Sequence, residues 1–399
     1  MKHQTTFQPL ARRMAVSGLR QNNERAVLTV VATAPGSSAA QIARTTGLGA
    51  QSVSRILADL ESVGLVYRGE PQRGQRGQPA IPIYMDPNGA YCVGCEIGWR
   101  HMHILIRNLG GEILGEHKRH YAYPDADEIL AEVVSLTKLL VGLVSSEKSE
   151  RILGVGLAMP SGIARNAHLV GAPEPVIQAW GELDLAAEVQ KATQQTVFPF
   201  NDGNAGCWAE LAAYPTPRPN NLAYIQVGTF LGAGLIADGR LWEGPSGNSA
   251  NLGSMVVCDS QGQQQFAHLT ASIYALEKRL ASAGVSLPAG NPSNWDWDGM
   301  EPIVSEWLEE AGIALAHVII NTAAVMEFGT AIVDGVMPRP IVERLVEKVK
   351  ERVALSPVLT TDRPSIVIGR LGADAPARGA ALKPMFRRLF SRDLADLED

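Results

Sequence analysis

The sequence predicts a mixed α/β protein in which a small helical module with a hairpin precedes a larger α/β body of two similar halves. Its 399 residues exceed one ordinary core of about 100–200 residues, so more than one domain is expected. Three short helical patterns and two short strands come first, and strands then alternate with helices. Hydrophobic residues make up 46% of the chain and charged residues 19%, a balance typical of proteins that bury large cores.

The first two helices of the module are marked by their ends. The first is predicted to start with Asn22 or Asn23 as its N-cap and to stop at Pro35. The second starts with a capping box at Ser38, where a hydroxyl and an amide satisfy backbone N–H groups that lack a helical partner. It is expected to end near Gly47 because glycine commonly follows the last helical turn.

The third helix combines an apolar stripe with a polar face. Apolar residues recur at i, i+3, i+4 and i+7, which predicts a buried stripe. They are Val53, Ile56, Leu57 and Leu60. Small polar and basic side chains on the other face suit contacts with base edges in the major groove of DNA. The candidates for these contacts are Gln51, Ser52, Ser54 and Arg55.

Two short strands, at residues 65–68 and 81–85, enclose a glycine-rich loop. Helix, helix, turn, helix and hairpin is the order of a winged helix-turn-helix, whose third helix enters the major groove. Basic and amide side chains in the loop suit phosphate or a narrow minor groove. They are Arg73, Arg76 and Gln78. The alternative is a helical oligomerisation module with a solvated polar face.

The net charge of −6 is distributed unevenly along the chain. Residues 1–90 contain 10 Lys and Arg against 5 Asp and Glu, and the remainder contains 25 against 36. A basic module joined to an acidic body suggests a polyanionic partner. Together with the hairpin and the polar helix face, it favours double-stranded DNA over the oligomerisation module.

Membrane insertion and secretion are not expected. No apolar run is long enough to span a membrane. The nearest, residues 312–326, is interrupted by His317 and Asn321. No apolar signal segment follows the N-terminal basic residues, so the expected compartment is the cytoplasm.

Cys92 and Cys95 lie in a strand pattern that points them to opposite faces, which favours buried reduced thiols over a metal or redox pair.

The body is predicted to open with an antiparallel meander. Its strands are residues 91–97, 101–106 and 112–120. Asp125 then caps a long helix that leads to a buried strand. A second start of the same kind follows residue 220, which implies two similar halves. Residues 286–298, rich in Pro, Asn and Trp, are predicted to form a surface loop.

Short motifs along the chain resemble those of one known family. They are residues 19–23 (LRQNN), 46–48 (TGL), 53–55 (VSR), 74–79 (GQRGQP), 154–162 (GVGLAMPSG), 201–205 (NDGNA), 227–234 (VGTFLGAG) and 379–381 (GAA). In this respect the chain resembles the ROK family of repressors and sugar kinases, and in particular its DNA-binding regulators.

The resemblance implies a fold for the body and boundaries for the domains. The expected fold is two-lobed, actin-like and of the hexokinase (ribonuclease H-like) type, with a sugar site in the cleft. The winged helix-turn-helix is expected to occupy residues 1–88, the first lobe residues 89–200 and the second lobe residues 201–399. The C-terminal helix near residues 380–395 is expected to complete the first lobe. Family regulators are expected to bind operator DNA as homodimers or homotetramers and to respond to a small carbohydrate.

The resemblance also implies the sugar site. Asp202 stands where the family kinases have the general base that takes a proton from the sugar hydroxyl. A carboxylate beside Asn201 also accepts a pair of sugar hydroxyls without any catalysis, so no catalytic residue is assigned. The candidate sugar-binding residues are Pro160, Ser161, Gly162, Asn201, Asp202, Asn248 and Asn251.

The first phosphate-binding turn departs from the kinase pattern. The kinases read Asp-x-Gly-Gly-Thr, where missing side chains let backbone N–H groups approach phosphate. This chain has Glu96, Trp99 and Arg100 in that turn, so neither ATP binding nor kinase activity is expected. The second phosphate loop, residues 228–234, resembles that of the kinases more closely than the first turn does.

The zinc motif of the family is also incomplete. Where the family has Gly-Glu-Ile-Gly-His, this chain reads Ala-Asn-Leu-Gly-Ser at residues 250–254. The cysteine cluster that follows is reduced to Cys258 and His268, which cannot form a closed tetrahedral site, so no zinc is expected. His268 is expected to be structural and to lie outside the sugar site.

Three hypotheses follow from these residues. The first is a sugar-responsive DNA-binding regulator, most simply a repressor of a carbohydrate-use operon. The second is a sugar kinase with an added DNA-binding regulatory module. The third is a ligand-independent DNA-binding scaffold with a vestigial cleft.

Overall fold

The computed structural model describes residues 16–71, 80–244, 247–248, 250–288 and 290–390. Two compact units divide this part of the chain. The first unit runs to Asp86 and includes residues 389–390, and the second is Pro87–Arg388.

The first unit contains three helices and a hairpin. They are α1 (Val16–Thr33), α2 (Ala39–Thr46), α3 (Ala50–Ser62), β1 (Val66–Arg68) and β2 (Ile83–Met85). The Ser38 capping box is confirmed: the Ser38 N–H donates to Gln41 Oε1 at 2.7 Å, and the Ser38 hydroxyl accepts from the Gln41 N–H. Gly47 follows α2 with φ +67°, in the left-handed region that glycine tolerates best.

The predicted start of α1 is wrong. The described part of the helix already includes Val16, so Asn22 and Asn23 lie inside it rather than at its N-cap. Asparagine is only mildly unfavourable within a helix, and no proline precedes this pair among residues 16–21, so the helix continues through it.

The hairpin is held against the helices of the first unit. Strands β1 and β2 pair antiparallel, and Ser38 at the start of α2 forms a further bridge to Pro82. The Tyr67 and Tyr84 rings stack across the hairpin with centroids 5.5 Å apart. The base of the wing is therefore an ordered part of this unit.

The first lobe of the second unit is built on a five-stranded sheet. Its elements are β3 (Tyr91–Ile97), β4 (His101–Asn108), β5 (Ile113–His120), α4 (Ala126–Val141), β6 (Ile152–Met159), α5 (Ile163–Asn166), α6 (Glu174–Glu182), α7 (Leu185–Thr193) and β7 (Val197–Asn201). The sheet order is β5-β4-β3-β6-β7. The meander is antiparallel, and β6 and β7 extend the sheet in parallel. Asp125 caps α4 as predicted.

The second lobe repeats this arrangement. Its elements are α8 (Asp202–Ala213), β8 (Leu222–Val227), β9 (Leu231–Ala237), β10 (Arg240–Leu241), β11 (Val256–Cys258), β12 (Gln264–Phe266), α9 (His268–Ala271), α10 (Ile273–Ser282), α11 (Ile303–Val325), β13 (Thr330–Gly335), α12 (Arg339–Leu355), β14 (Ser365–Ile368) and α13 (Ala375–Arg388). The order β10-β9-β8-β13-β14, with the same strand directions, confirms the two similar halves.

Helix α13 packs closely on the first-lobe sheet. A Cβ added to Gly156 on β6 would lie 1.8 Å from the Ala380 carbonyl oxygen, and one added to Gly94 on β3 would lie 2.2 Å from that of Ala377. A Cβ added to Gly379 would likewise lie 1.8 Å from the Ala205 carbonyl oxygen of α8. The C-terminal helix therefore bridges the first-lobe sheet and α8 through glycine contacts.

Two apolar segments of the second lobe lie in its core. Helix α11 is long and apolar enough to cross a membrane by composition, but more than half of its most apolar stretch is buried inside the protein, as in a core helix. Residues 286–298 are not wholly the surface loop predicted, because Trp295 and Trp297 are buried and their rings stack at 5.7 Å. Burial of a large aromatic side chain is strongly favourable, and here it outweighs the preference of the neighbouring polar and turn residues for the surface.

Candidate functional site

The candidate DNA-contacting face of α3 is exposed in the first unit. Gln51, Ser52, Ser54 and Arg55 are all exposed, while the apolar stripe beneath them is buried. The wing candidates Arg73, Arg76 and Gln78 lie outside the described residues. Arg68, at the base of the hairpin, pairs with Glu61 at 3.0 Å.

The cleft candidates of the first lobe meet where β6 and β7 end. Pro160, Ser161 and Gly162 follow β6, and Asn201 ends β7 directly before α8. Because the carboxyl ends of parallel strands meet at one edge of a sheet, the two segments adjoin. The Asn201 amide nitrogen donates to the Ser161 hydroxyl at 3.3 Å.

The Asn201 side chain is committed to the protein itself. Its oxygen accepts the Asn204 N–H at 3.0 Å and caps α8, and its nitrogen donates to Ser161 and, at 3.1 Å, to Asp202 Oδ1. An amide has two N–H donors, so both are used. Asn201 therefore orients Ser161 and Asp202.

Asp202 keeps one carboxylate oxygen available. Its Oδ1 accepts from Asn201 at 3.1 Å and from the Gly203 N–H at 2.9 Å, and no hydrogen bond from another residue of the described ranges reaches Oδ2. Burial and the nearby Glu96 carboxylate raise the pKa of Asp202 to about 6. At neutral pH the carboxylate is therefore ionised, and its second oxygen can accept a further hydrogen bond.

Glu96 and His101 are cleft residues that the sequence reasoning did not place beside Asp202. Glu96, at the end of β3, is 4% exposed, and its Oε1 lies 3.0 Å from His101 Nε2. Burial alone lowers the pKa of His101, but Glu96 outweighs this effect and the net shift is upward. The polar residue Glu96 within an apolar strand was the available signal.

The turn between β3 and β4 is packed against the second lobe. The Trp99 ring meets Phe230, in the turn after β8, edge to face with centroids 5.0 Å apart. Arg100 pairs with the buried Glu277 of α10 at 3.1 Å. Trp99 and Arg100 stand where the family kinases have a phosphate-binding turn. Here Trp99 fills the space between the β3–β4 turn and the topologically equivalent turn after β8.

The remaining sugar candidates lie on the loop that follows β10. Asn248 and Asn251 are exposed, and the Asn204 amide of α8 donates to the Gly247 carbonyl at 3.1 Å. His268 contacts this loop, since its Nε2 lies 3.4 Å from Asn251 Oδ1. The loop is thereby tied both to the helix that begins with Asp202 and to α9.

A cavity of about 440 Å³ adjoins Arg100 of this turn. Its walls come from both lobes and contain none of the predicted sugar residues. They include Arg100, His101, His120, Glu277, Trp295 and Asp374.

The residues present do not fit the zinc site of the family. Ser254 stands in place of the ligand histidine, and Cys258 is the one cysteine of residues 256–272. Within the described ranges no group of three or more His, Cys, Asp or Glu side chains is placed to hold a metal ion.

Known repressors are similar in sequence to this chain. The xylose repressor of Bacillus spizizenii is 23% identical over 272 residues, which cover 66% of this chain and 67% of the repressor. The N-acetylglucosamine repressor of Escherichia coli is 23% identical over 60% of this chain and 58% of its own length.

Solved structures share the fold. A ROK family transcriptional regulator homologous to the E. coli MLC protein superposes with a TM-score of 0.68 at 19% identity, covering 96% of this chain and all of that one. A ROK glucokinase from Streptomyces griseus, in complex with glucose and AMPPNP, covers 73% of this chain and 98% of that chain with a TM-score of 0.56 at 18% identity.

Two family models match the chain. The MarR family model matches residues 17–77, which include the three helices of the first unit. The ROK family model matches residues 92–383, most of the second unit and well over half of the chain. The chain therefore belongs to the ROK family.

Proposed function

We propose that the chain is a sugar-responsive transcriptional repressor that binds double-stranded operator DNA and binds its effector without phosphorylating it. The observation that carries this proposal is the contrast within the cleft. Asp202 keeps a free oxygen for a sugar hydroxyl, whereas Trp99 and Arg100 fill the turn whose backbone would have to approach phosphate. A cleft with the acceptor and without the phosphate cradle supports binding rather than phosphoryl transfer.

The effector is assigned to the edge of the first-lobe sheet. Asp202 accepts from its hydroxyls, and Asn201 positions that carboxylate. The other proposed contacts are Pro160, Ser161, Gly162, Asn248 and Asn251. Neither ATP nor zinc has a part in this site.

The DNA interface is assigned to the first unit. The exposed face of α3 reads bases through Gln51, Ser52, Ser54 and Arg55, and the wing residues Arg73, Arg76 and Gln78 contact phosphate or the minor groove. The similar proteins named as xylose and N-acetylglucosamine repressors support an operator partner and a sugar effector. A homodimer or homotetramer acting in the cytoplasm on a two-fold symmetric operator fits this mode of binding.

Fluorescence anisotropy tests both halves of the proposal. The full chain is titrated onto a labelled duplex from upstream of its own gene at one stated salt concentration, alone and with D-xylose or N-acetylglucosamine. We expect tight binding and a shift of about tenfold with one sugar, which corresponds to about 1.4 kcal/mol of coupling. Tight binding with no response to either sugar, and a flat thermal shift across other sugars, would favour a ligand-independent scaffold.

Two substitutions separate the two sites. Asp202→Ala is expected to abolish the sugar response while leaving DNA affinity in its absence unchanged. Arg55→Ala is expected to weaken DNA binding by about tenfold, the loss of one good base contact, while sugar affinity measured by calorimetry stays the same. Arg344→Ala, on the exposed face of α12, serves as the matched control for charge. Unchanged sugar affinity in Asp202→Ala would overturn the cleft assignment.

A sugar kinase remains the second candidate because Asp202 occupies the general-base position and residues 228–234 keep the second phosphate loop. An ADP-release assay with ATP, Mg²⁺ and the same sugars decides between them. We expect no sugar-dependent ADP release, and turnover with either sugar would replace the proposed function with the kinase.

A further inference from the structure

His268 is held in a fixed orientation beneath the loop that carries Asn251. A Cβ added to Gly253 would lie 2.2 Å from its ring, so the imidazole occupies space that only glycine leaves open. Phe230 packs against the ring edge to face with centroids 5.9 Å apart. The imidazole is therefore held between Gly253, beside Asn251, and Phe230, in the turn after β8.

The hydrogen bonds of His268 define which nitrogen carries the proton. The Leu231 N–H donates to Nδ1 at 3.1 Å, so Nδ1 is an unprotonated acceptor. Burial lowers the pKa of His268 to about 4, which leaves the ring neutral at physiological pH. The single proton then resides on Nε2.

This proton faces the Asn251 side chain. His268 Nε2 lies 3.4 Å from Asn251 Oδ1, so the amide oxygen accepts and the amide nitrogen points away from the histidine. The preceding residue, Ala250, has φ +63°, a conformation that L residues rarely adopt and that the surrounding loop must hold. The exposed Asn251 side chain thus keeps its NH₂ group on the side away from His268, where it can act as a hydrogen-bond donor.

We propose that His268 is a positioning residue of the effector site, which fixes Asn251 so that its amide NH₂ donates to an oxygen of the ligand. The site then requires two different groups of its ligand, a hydroxyl donor for Asp202 and an acceptor oxygen for Asn251. Polyols and sugars carry both, either as hydroxyl and ring oxygens or as an acetamido carbonyl. This inference rests on the proposed function, since it names a further part of the same binding site.

Two conservative variants divide the functions of the imidazole. His268→Gln retains an N–H donor near the Nε2 position, whereas His268→Asn retains a polar group near Nδ1 and loses the donor to Asn251. We expect calorimetry with whichever of D-xylose and N-acetylglucosamine binds the native chain to show about a tenfold loss for His268→Asn and less than about threefold for His268→Gln. Equal affinities for all three proteins would overturn the proposal.

A double-mutant cycle separates positioning from a general effect on folding. Asn251→Ala removes the group that His268 positions, so adding His268→Asn to it should cost no further sugar affinity. A merely structural role would give additive losses in the double variant. Thermal unfolding of each variant accompanies the cycle.

The orientation of His268 is also measurable without a sugar. Selective ¹⁵N-histidine labelling of the full chain, assigned with His268→Asn, should show an unprotonated Nδ1 and a protonated Nε2 at pH 7. The opposite tautomer or an imidazolium would overturn the proposal whatever the ligand is. If neither sugar binds the native chain while the expected tautomer is seen, the proposed sugar response fails and the His268–Asn251 arrangement stands.

Discussion

The two lobes have the same sheet topology, yet the carboxylates at the ends of their parallel strands have different surroundings. In the second lobe, Asp334 is 2% exposed and accepts the Gly335 N–H at 2.9 Å and the Gly372 N–H at 2.8 Å, one with each oxygen. In the first lobe, Asp202 accepts both of its hydrogen bonds from other described residues with one oxygen, Oδ1. Asp334 lies on β13, the counterpart of β6, whereas Asp202 follows β7, so the two carboxylates are at neighbouring rather than equivalent strand ends. Their different hydrogen bonds show that local backbone contacts decide how many carboxylate oxygens the fold itself uses.

Glu210, like Asp334, is a buried carboxylate whose oxygens are both used by backbone N–H groups of the second lobe. This carboxylate of α8 is fully buried and accepts the backbone N–H groups of Arg370 and Leu371 at 2.8–3.0 Å. It lies on the same helix that begins with Asp202. The helix therefore joins an internally satisfied network at one position to an open acceptor at another.

The largest expected effect comes from Asp334→Asn. The amide can still accept one N–H, but its NH₂ group would face the Gly372 N–H, and a buried donor would lose its partner. Leaving such a group unsatisfied costs about 1–3 kcal/mol, while burial raises the pKa of Asp334, so removal of its charge offsets part of this cost. We expect urea unfolding to show a loss of about 2–3 kcal/mol in the free energy of unfolding, because both carboxylate oxygens are used by backbone N–H groups; a change under 1 kcal/mol would contradict the closed network.

A second test concerns the two equivalent turns, after β3 and after β8, which meet through Trp99 and Phe230. Arg100→Ala leaves Glu277 buried without its partner, and burial already raises the pKa of Glu277. We expect a loss of about 2 kcal/mol at pH 8 and a smaller loss at pH 5, where Glu277 binds a proton more readily.

Arg344→Ala provides the control for that test. Arg344 pairs with Glu301 at 2.7 Å, but both side chains are at least one-third exposed. Exposed pairs contribute about 0–1 kcal/mol, so this variant should remain close to the native stability. Equal losses for both arginine variants would contradict the expected cost of leaving the buried Glu277 without Arg100.

The sequence predicted the repeated topology better than the detailed site. Alternating apolar residues and glycine turns define strands such as Tyr91–Ile97 locally, so their limits were recovered closely. The capping residues Ser38 and Asp125 act on neighbouring N–H groups and were recovered for the same reason. Local patterns of this kind need no knowledge of the tertiary structure.

Contacts between distant segments could not be derived from the sequence in the same way. Asn201 was expected to bind sugar, and its use as a helix cap and clamp depends on Ser161, forty residues away. His268 was expected to lie outside the site, and its link to Asn251 depends on the packing of Gly253 and Phe230 around the ring. Trp295 was predicted to lie in a surface loop because its neighbours in the sequence are polar. Its burial depends on core residues that are distant in the sequence.

The smallest expected effect is a gain in stability from Asp202→Asn, the same substitution that destabilises at Asp334. The folded pKa of Asp202 is about 6, above its ordinary value of about 4, so the folded state binds more protons between these values. The free energy of unfolding therefore falls as pH rises through this window, and the deficit persists above it.

Asparagine does not titrate, so the Asp202→Asn variant should be more stable than the native chain by about 1 kcal/mol at pH 7.5 and about equal to it at pH 4. The groups that share this part of the cleft, Glu96 and His101, are unchanged in both proteins. Urea unfolding at the two pH values measures the difference. A loss of stability at pH 7.5 would mean that Asp202, like Asp334, stabilises the fold, and the contrast between the two lobes would disappear. A gain in stability together with a loss of sugar affinity would mean that the Asp202 carboxylate destabilises the folded state but is needed to bind the ligand.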